Sequence, residues 1–313
     1  MDTRHIRVEP VDPLLYAAKE SDNYNRGMFM RYPTLVTRLL TVSLLLLVAP
    51  AAFAQRTFVS AKTGNDANPC TPTSPCRTFA VALAAVAAGG EIIVLDSGGY
   101  GGVTITKAIS ITAPLGIYAG ISVPSGTGIT INAGGSDNVT LRGLTLNGAS
   151  SGTGIQFNTG ATLTVVDCSV TGFFSGLVFS PSAATSSCIV EHSVFLNNAS
   201  IGINQNITGN LIVRNSVVSG SSAGGTGINV HANSASGATA SIVDCLLSGN
   251  YLGLNVDFEG GSAPSHVRMS GTHITNGFQG LLNNSEVVSI GNNMIRGNNF
   301  ETGGTAITVV AGN

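Results

Sequence analysis

Leu163-Thr-Val165-Val-Asp167-Cys168-Ser-Val170-Thr-Gly172 is the stretch whose reading decides the fold. It pairs two short apolar alternations with a polar break between them. The same outline returns along the chain, as Val139-Thr-Leu141-Arg-Gly-Leu-Thr-Leu146, Cys188-Ile189-Val-Glu191-His192-Ser-Val194 and Leu211-Ile212-Val-Arg214-Asn215-Ser-Val217. It returns again as Ile242-Val-Asp244-Cys245-Leu-Leu247, Val267-Arg-Met269-Ser-Gly-Thr-His-Ile274 and Val288-Ser-Ile290-Gly-Asn-Asn-Met-Ile295. With Val165 as the anchor, the series reads 141, 165, 189, 212, 242, 269 and 290, in steps of 24, 24, 23, 30, 27 and 21. A period in the twenties built of strands marks a solenoid. The uneven steps argue against a closed propeller, and the leucine-rich-repeat spacing is absent.

A second motif lies between the copies: Gly154-Ile-Gln-Phe157, Gly176-Leu-Val-Phe179, Gly202-Ile-Asn-Gln205, Gly227-Ile-Asn-Val230, Gly253-Leu-Asn-Val256 and Gly280-Leu-Leu-Asn283. Each period therefore holds three short strands separated by Gly or Asn turns. This predicts an all-β, three-sheet parallel β-helix, in which alternate residues of each strand enter a narrow apolar core and stack on their equivalents one coil away. About ten coils from residue 91 onward would give a rod roughly 45–50 Å long at the spacing of neighbouring strands. An open solenoid end is an unpaired sheet edge and needs a cap. Thr78-Phe-Ala-Val-Ala-Leu-Ala-Ala-Val-Ala-Ala88 predicts a short helix with Phe79, Leu83 and Val86 on one face, stopped by Gly89-Gly90. Glu91–Leu95 is then the first coil strand, and Ala306–Val310 the last.

The opening Thr57-Phe-Val-Ser-Ala-Lys-Thr-Gly64-Asn-Asp66 resembles the first strand and turn of secreted proteins of the pectate-lyase-like superfamily. Cys76-Arg-Thr-Phe, Gly89-Gly-Glu-Ile-Ile-Val-Leu95, Gly99-Tyr100 and Val103-Thr-Ile-Thr-Lys107 continue the resemblance, which spans 57–313. It implies a single-stranded right-handed parallel β-helix. That architecture serves lyases, hydrolases, epimerases, tailspikes and proteins without known chemistry, so it does not choose an activity. The Asn-Thr-Asp, Asp-Asp, Gly-His-Gly and Arg-Ile-Lys motifs of polygalacturonase-like enzymes are missing here. So is the Asp-Pro-His-Asp of alginate epimerases.

Composition sets further bounds. The chain has 313 residues, 40 Gly and only 10% charged residues, with a net charge of −2. Residues 55–313 carry 8 basic and 11 acidic side chains. That pattern excludes a disordered chain and gives no reason to expect nucleic acid as a partner. Residues 1–27 are polar and unpatterned, an upstream extension or a mis-assigned start with Met28 or Met30 as the expected first residue. Residues 28–54 read as a signal peptide: Arg31 and Arg38, the apolar run Leu39–Ala49, then Ala52-Phe-Ala54, with cleavage before Gln55. The run is shorter than the roughly 20 residues that span a bilayer, so no stable membrane insertion is expected after cleavage. The protein is expected to be secreted or periplasmic. The cap and first coil occupy 55–100, and the repeats 101–313. In an exported protein Cys70-Thr-Pro-Thr-Ser-Pro-Cys76 predicts a disulfide. Cys168, Cys188 and Cys245 are read as buried packing residues, and no spacing suggests zinc.

Aligning the glycine-led strands places Gln156, Val178, Asn204, Asn229, Asn255 and Leu282 in one outward column. Asn158, Ser180, Asn206, His231, Asp257 and Asn284 form the next, and Asn233, Glu259 and Glu286 a third. The spacing thus gathers His231, Asp257, Glu259 and Glu286 on one face beside rows of amides. Asn204, Asn206, Asn229, Asn255, Asn284 and Glu286 suit saccharide hydroxyls. Asp257 and Glu259 are the one close carboxylate pair for hydrolysis, with His231 beside them. Arg268, outward with His266 on another strand, is the candidate lyase base, and the competing interpretation of the two is a solvated surface pair. Calcium would need several converging carboxylates and no such cluster is visible; no other cofactor is implied. The competing interpretation is that the Asn columns only stabilise the coils. His192 is placed in a turn column with Cys168, Asn215 and Cys245, and Glu191 opposite Arg214. The function expected is an exported polysaccharide-binding or envelope protein without catalysis. The alternatives are a polysaccharide lyase or hydrolase, and a structural or adhesive rod.

Overall fold

A computed structural model describes residues 54–221 and 224–310. The upstream extension and all but the last residue of the expected signal peptide lie outside the described residues. The rest is a parallel β-helix of three sheets, with eleven strands in sheet one and nine each in sheets two and three. One representative coil runs Thr162–Val166 in sheet one, Ser169–Thr171 in sheet two and Ser175–Phe179 in sheet three. Each strand pairs in parallel with its equivalents one coil before and one coil after. The complete turns fall a turn or two short of the ten expected, because the chain near each end contributes to fewer than three sheets.

Alternation builds the core. In sheet three Ile131, Phe157, Phe179, Gln205, Val230 and Val256 stack inward in register. Phe157 and Phe179 lie 5.2 Å apart between ring centres. The glycine that leads each of these strands has a steric cause. A Cβ built on Gly154, Gly176, Gly202, Gly227 or Gly253 would stand 2.5–2.7 Å from the carbonyl oxygen of the equivalent glycine in the next coil. No larger residue fits that approach.

The corner between sheets one and two has its own rule. Asp167, His192, Asn215 and Asp244 have φ between 47° and 54°, in one column with Gly143 at 71° and Gly271 at 58°. Small polar side chains follow this left-handed residue and clasp the neighbouring coil. Ser193 Oγ accepts from Cys168 N–H and Ser216 Oγ from Ser193 N–H, each at 3.1 Å. The register corrects the expected columns by one residue: His192 stands with Asp167 and Asp244, not with Cys168 and Cys245. The inward anchors are likewise 141, 165, 190, 213, 242, 269 and 289, since Val190 pairs with Val165 and Val213, and Ser289 with Met269. Ile189, Ile212 and Ile290 therefore do not occupy the anchor column.

The cap is a helix at Phe79–Ala85, with Thr78 as N-cap accepting from Val81 N–H. Phe79, Ala82 and Leu83 are its buried residues. It ends sooner than expected because Val86 already starts the nine-residue strand Val86–Val94, which takes in Gly89 and Gly90. Cys70 and Cys76 form the disulfide that closes the loop ahead of the helix. Cys168, Cys188 and Cys245 are free and buried.

Candidate functional site

The outward face of sheet three carries the first cluster. Register aligns Val178 with Asn204, Asn204 with Asn229 and Asn229 with Asn255. Their amides form a ladder: Asn229 Nδ2 donates to Asn204 Oδ1 at 2.9 Å, and Asn255 Nδ2 to Asn229 Oδ1 at 2.8 Å. Asn255 Nδ2 also donates to Asp257 Oδ2 at 3.1 Å. In the next column Asn206, His231 and Asp257 stand on successive strands. His231 Nδ1 donates to Asp257 Oδ1 at 2.7 Å, with the two side chains 27% and 31% exposed. The pair is thus mostly shielded from solvent, and the carboxylate fixes which ring nitrogen bears the proton. Leu282 ends the ladder and offers no donor, so the buried Asn255 Oδ1 has no hydrogen-bond partner.

Asn284 follows in the second column, its N–H bonded to Val256 O. Glu259 begins the turn beyond it, exposed, with its N–H bonded to Ala232 O. Glu286 does not join this face. The strand Leu252–Phe258 is followed by six turn residues before Ser265–Ser270, whereas Gln279–Asn283 is followed by only Asn284 and Ser285 before Glu286–Ser289. The short turn carries Glu286 into sheet one.

There Glu286 meets His266, whose Nδ1 donates to Glu286 Oε2 at 2.7 Å; both side chains are 52% exposed. Arg268 is exposed two residues along the same strand, with Val267 buried between them. His266, Arg268 and Glu286 line a groove of about 450 Å³ with Asn210, Thr239 and Ser241. The candidates expected on one face therefore divide between two sheets. Glu191 and Arg214 do pair, at 3.1 Å.

Two features were missed in sequence. Gln205 points inward, fully buried, and its Nε2 donates to Thr208 O and Gly209 O while Oε1 is unpartnered. An amide in a column of Phe and Val was its only signal. Tyr251 and Phe278 each sit two residues before a strand-leading glycine, a legible repeat. Their rings stack at 4.6 Å and 8°, and Phe300 meets Phe278 edge-on at 5.2 Å. Tyr251 and Phe278 each cover one face of the other and tie successive coils together, and all three rings remain exposed. Among the described residues no group of three His, Cys, Asp or Glu side chains is placed to hold a metal ion. No helix among them is long and apolar enough to cross a membrane.

No family model matches the chain, and no curated protein matches it. Solved structures do. Pectate lyase Pel9A is similar at 15% identity and a TM-score of 0.57, over 77% of this chain and 70% of that one. A rhamnogalacturonan lyase matches at 11% identity and a TM-score of 0.47, over 75% of each chain. The Dettilon tailspike protein matches at 12% and 0.39, over 81% of this chain and 68% of that one. At these identities the likeness is one of fold alone: the chain shares a parallel β-helix architecture with pectate lyase Pel9A.

Proposed function

We propose that this chain is an exported β-helix protein that binds a polysaccharide without cleaving it, along the outward face of sheet three. The observation that carries the reading is the amide ladder Asn204–Asn229–Asn255 running into Asp257 and His231. It sets planar donors and acceptors at the spacing of successive strands on a partly exposed face held by its own hydrogen bonds. A repeating polymer of hydroxyls is the partner such a periodic surface suits. Preorganised amides cost little ordering on binding. Pectate lyase Pel9A, similar in fold, acts on a glycan by its name, and that supports a glycan here at the level of fold only. The Cys70–Cys76 disulfide supports export into an oxidising compartment.

A catalytic reading has one observation in its favour. Asp257 holds His231 through Nδ1, which leaves Nε2 as the ring atom able to take a proton. Glu259 lies two residues further on. A lyase or hydrolase built on these residues would shorten its polymer.

The test incubates the purified protein with neutral and acidic polysaccharides, with and without Ca²⁺, and follows polymer length by size exclusion. Co-elution of protein with intact polymer is the expected result. Shortening of any polymer overturns the non-catalytic reading; its loss in the Asp257→Ala, Glu259→Ala double variant then assigns the chemistry to this face. Neither co-elution nor shortening leaves a structural or adhesive rod.

A further inference from the structure

Four arginines lie on the outward face of sheet one, and three are neutralised. Arg56 meets Glu91 at 3.2 Å, Arg142 meets Asp167 at 3.0 Å, and Arg214 meets Glu191 at 3.1 Å. Each carboxylate comes from a neighbouring strand or the turn that follows it. Arg268 breaks the pattern. Among the described residues no carboxylate stands within ion-pair distance of it. It also lies in the groove of about 450 Å³ rather than on a flat stretch of sheet.

The groove's other polar groups favour the same kind of ligand. Its one carboxylate, Glu286, is engaged by His266 Nδ1–H at 2.7 Å. Thr239 Oγ1 shares its proton between Asn210 Oδ1 at 3.2 Å and Gly209 O at 3.3 Å, which turns the oxygen of the Asn210 amide toward Thr239 and leaves its Nδ2 hydrogens without a partner among the described residues. The Ser241 hydroxyl has no partner among the described residues. The groove thus presents a guanidinium, an amide N–H₂ and a hydroxyl as open donors. A planar guanidinium with uncommitted donors beside it matches an oxyanion through paired, charge-assisted hydrogen bonds.

We propose that the groove around Arg268 is an oxyanion-binding subsite on sheet one, separate from the amide face, that takes a carboxylate or sulfate group carried by a saccharide polymer. The proposal rests on the polysaccharide reading and names the polymer as anionic. No covalent step is involved: Arg268 holds the anion, and His266 and Glu286 shape the wall.

The experiment is affinity electrophoresis of the full chain in EDTA, through gels containing dextran, dextran sulfate or a polyuronate. EDTA removes metal ions that would bridge carboxylates. The wild type is expected to bind one acidic polymer about tenfold more tightly than dextran, a preference that weakens with salt. Dextran sulfate against polyuronate tells which oxyanion is taken. Arg268→Gln should abolish the preference, while Arg142→Gln, which removes a paired arginine from the same sheet, should keep it. Circular dichroism of both variants checks that they fold. Equal retardation of wild type and Arg268→Gln overturns the subsite, as does an equal loss in Arg142→Gln. Binding to dextran with no acidic preference overturns the subsite and leaves the glycan reading standing. Retardation by no polymer overturns both.

Discussion

At the scale of single residues, the solenoid turns each local choice into a column, and a column that stops leaves a visible defect. The amide ladder stops at Leu282, which leaves Asn255 Oδ1 buried and unpartnered. Leu282→Asn would supply the missing donor. It is expected to be more stable than Leu282→Ala by about 1 kcal/mol, the usual net worth of one hydrogen bond, and paired urea titrations of the two variants measure it. If both lose the same stability, the ladder adds nothing at its end. Asn229→Ala removes the middle rung and both of its amide bonds, and should cost about 2 kcal/mol. The residue scale is also where sequence reading slipped. Cys188-Ile189-Val190 and Leu211-Ile212-Val213 are unbroken apolar runs. Alternation cannot choose between adjacent residues there, and Val190 and Val213, not Ile189 and Ile212, took the anchor positions. The glycine column was legible throughout, because backbone closeness allows no other residue.

Among the elements, the N-terminal cap is held by one carboxylate and one phenol. Ser60 Oγ donates to Asp96 Oδ2 at 2.5 Å, Ala61 N–H to Oδ1 at 2.7 Å, and Tyr100 Oη to Oδ1 at 2.7 Å. Burial would raise the Asp96 pKa, but these bonds and the Lys62 N–H outweigh it, so it lies below the usual 3.8. A lowered folded-state pKa makes the contribution of Asp96 full above the unfolded value and lost as pH falls below it. Burial, followed by the bond to Asp96, pushes Tyr100 up to about 12 from 10. Its contribution is therefore full below pH 10 and lost as pH rises toward 12. Asp96→Asn should be less stable than wild type at pH 7, with the difference shrinking as pH falls below 3.8. Melting temperatures from pH 7 down to 2 check this, and a difference that stays constant would detach the cap from Asp96. The helix and the disulfide loop were legible because capping, apolar spacing and paired cysteines are local signals. Glu286 was misplaced because turn length is not. Column spacing carried Glu286 on beside Asn233 and Glu259, whereas the two-residue link after Asn283 sent it to another sheet.

For the whole molecule, stability in a solenoid is a sum of coils and the interfaces between them, so it need not be even along the axis. One end is closed by the helix Phe79–Ala85, packed beside the first strands of sheets one and three. Toward the other, the last strands are Met294–Ile295, Phe300–Gly304 and Thr308–Val309, and Phe300 and Val309 are exposed. A cavity of about 520 Å³ opens among Met269, Ile295 and Ile307. Poor packing and exposed edges are where local opening is cheapest. Hydrogen exchange should therefore be fastest over residues 286–310 and slowest over the coils between Val139 and Val230. The free thiols report the same gradient independently. Burial pushes Cys168 up to about 12, Cys245 up to about 11, and Cys188 further still. None should react with a thiol reagent at pH 8 while the coils are closed. In dilute denaturant, opening that starts from the exposed strands reaches the coil of Cys245 before those of Cys188 and Cys168. Mass spectrometry of partially labelled protein should find Cys245 modified first. Simultaneous labelling of all three would mean that the rod opens as one cooperative unit, and labelling of Cys168 first would mean that the capped end is the weaker one.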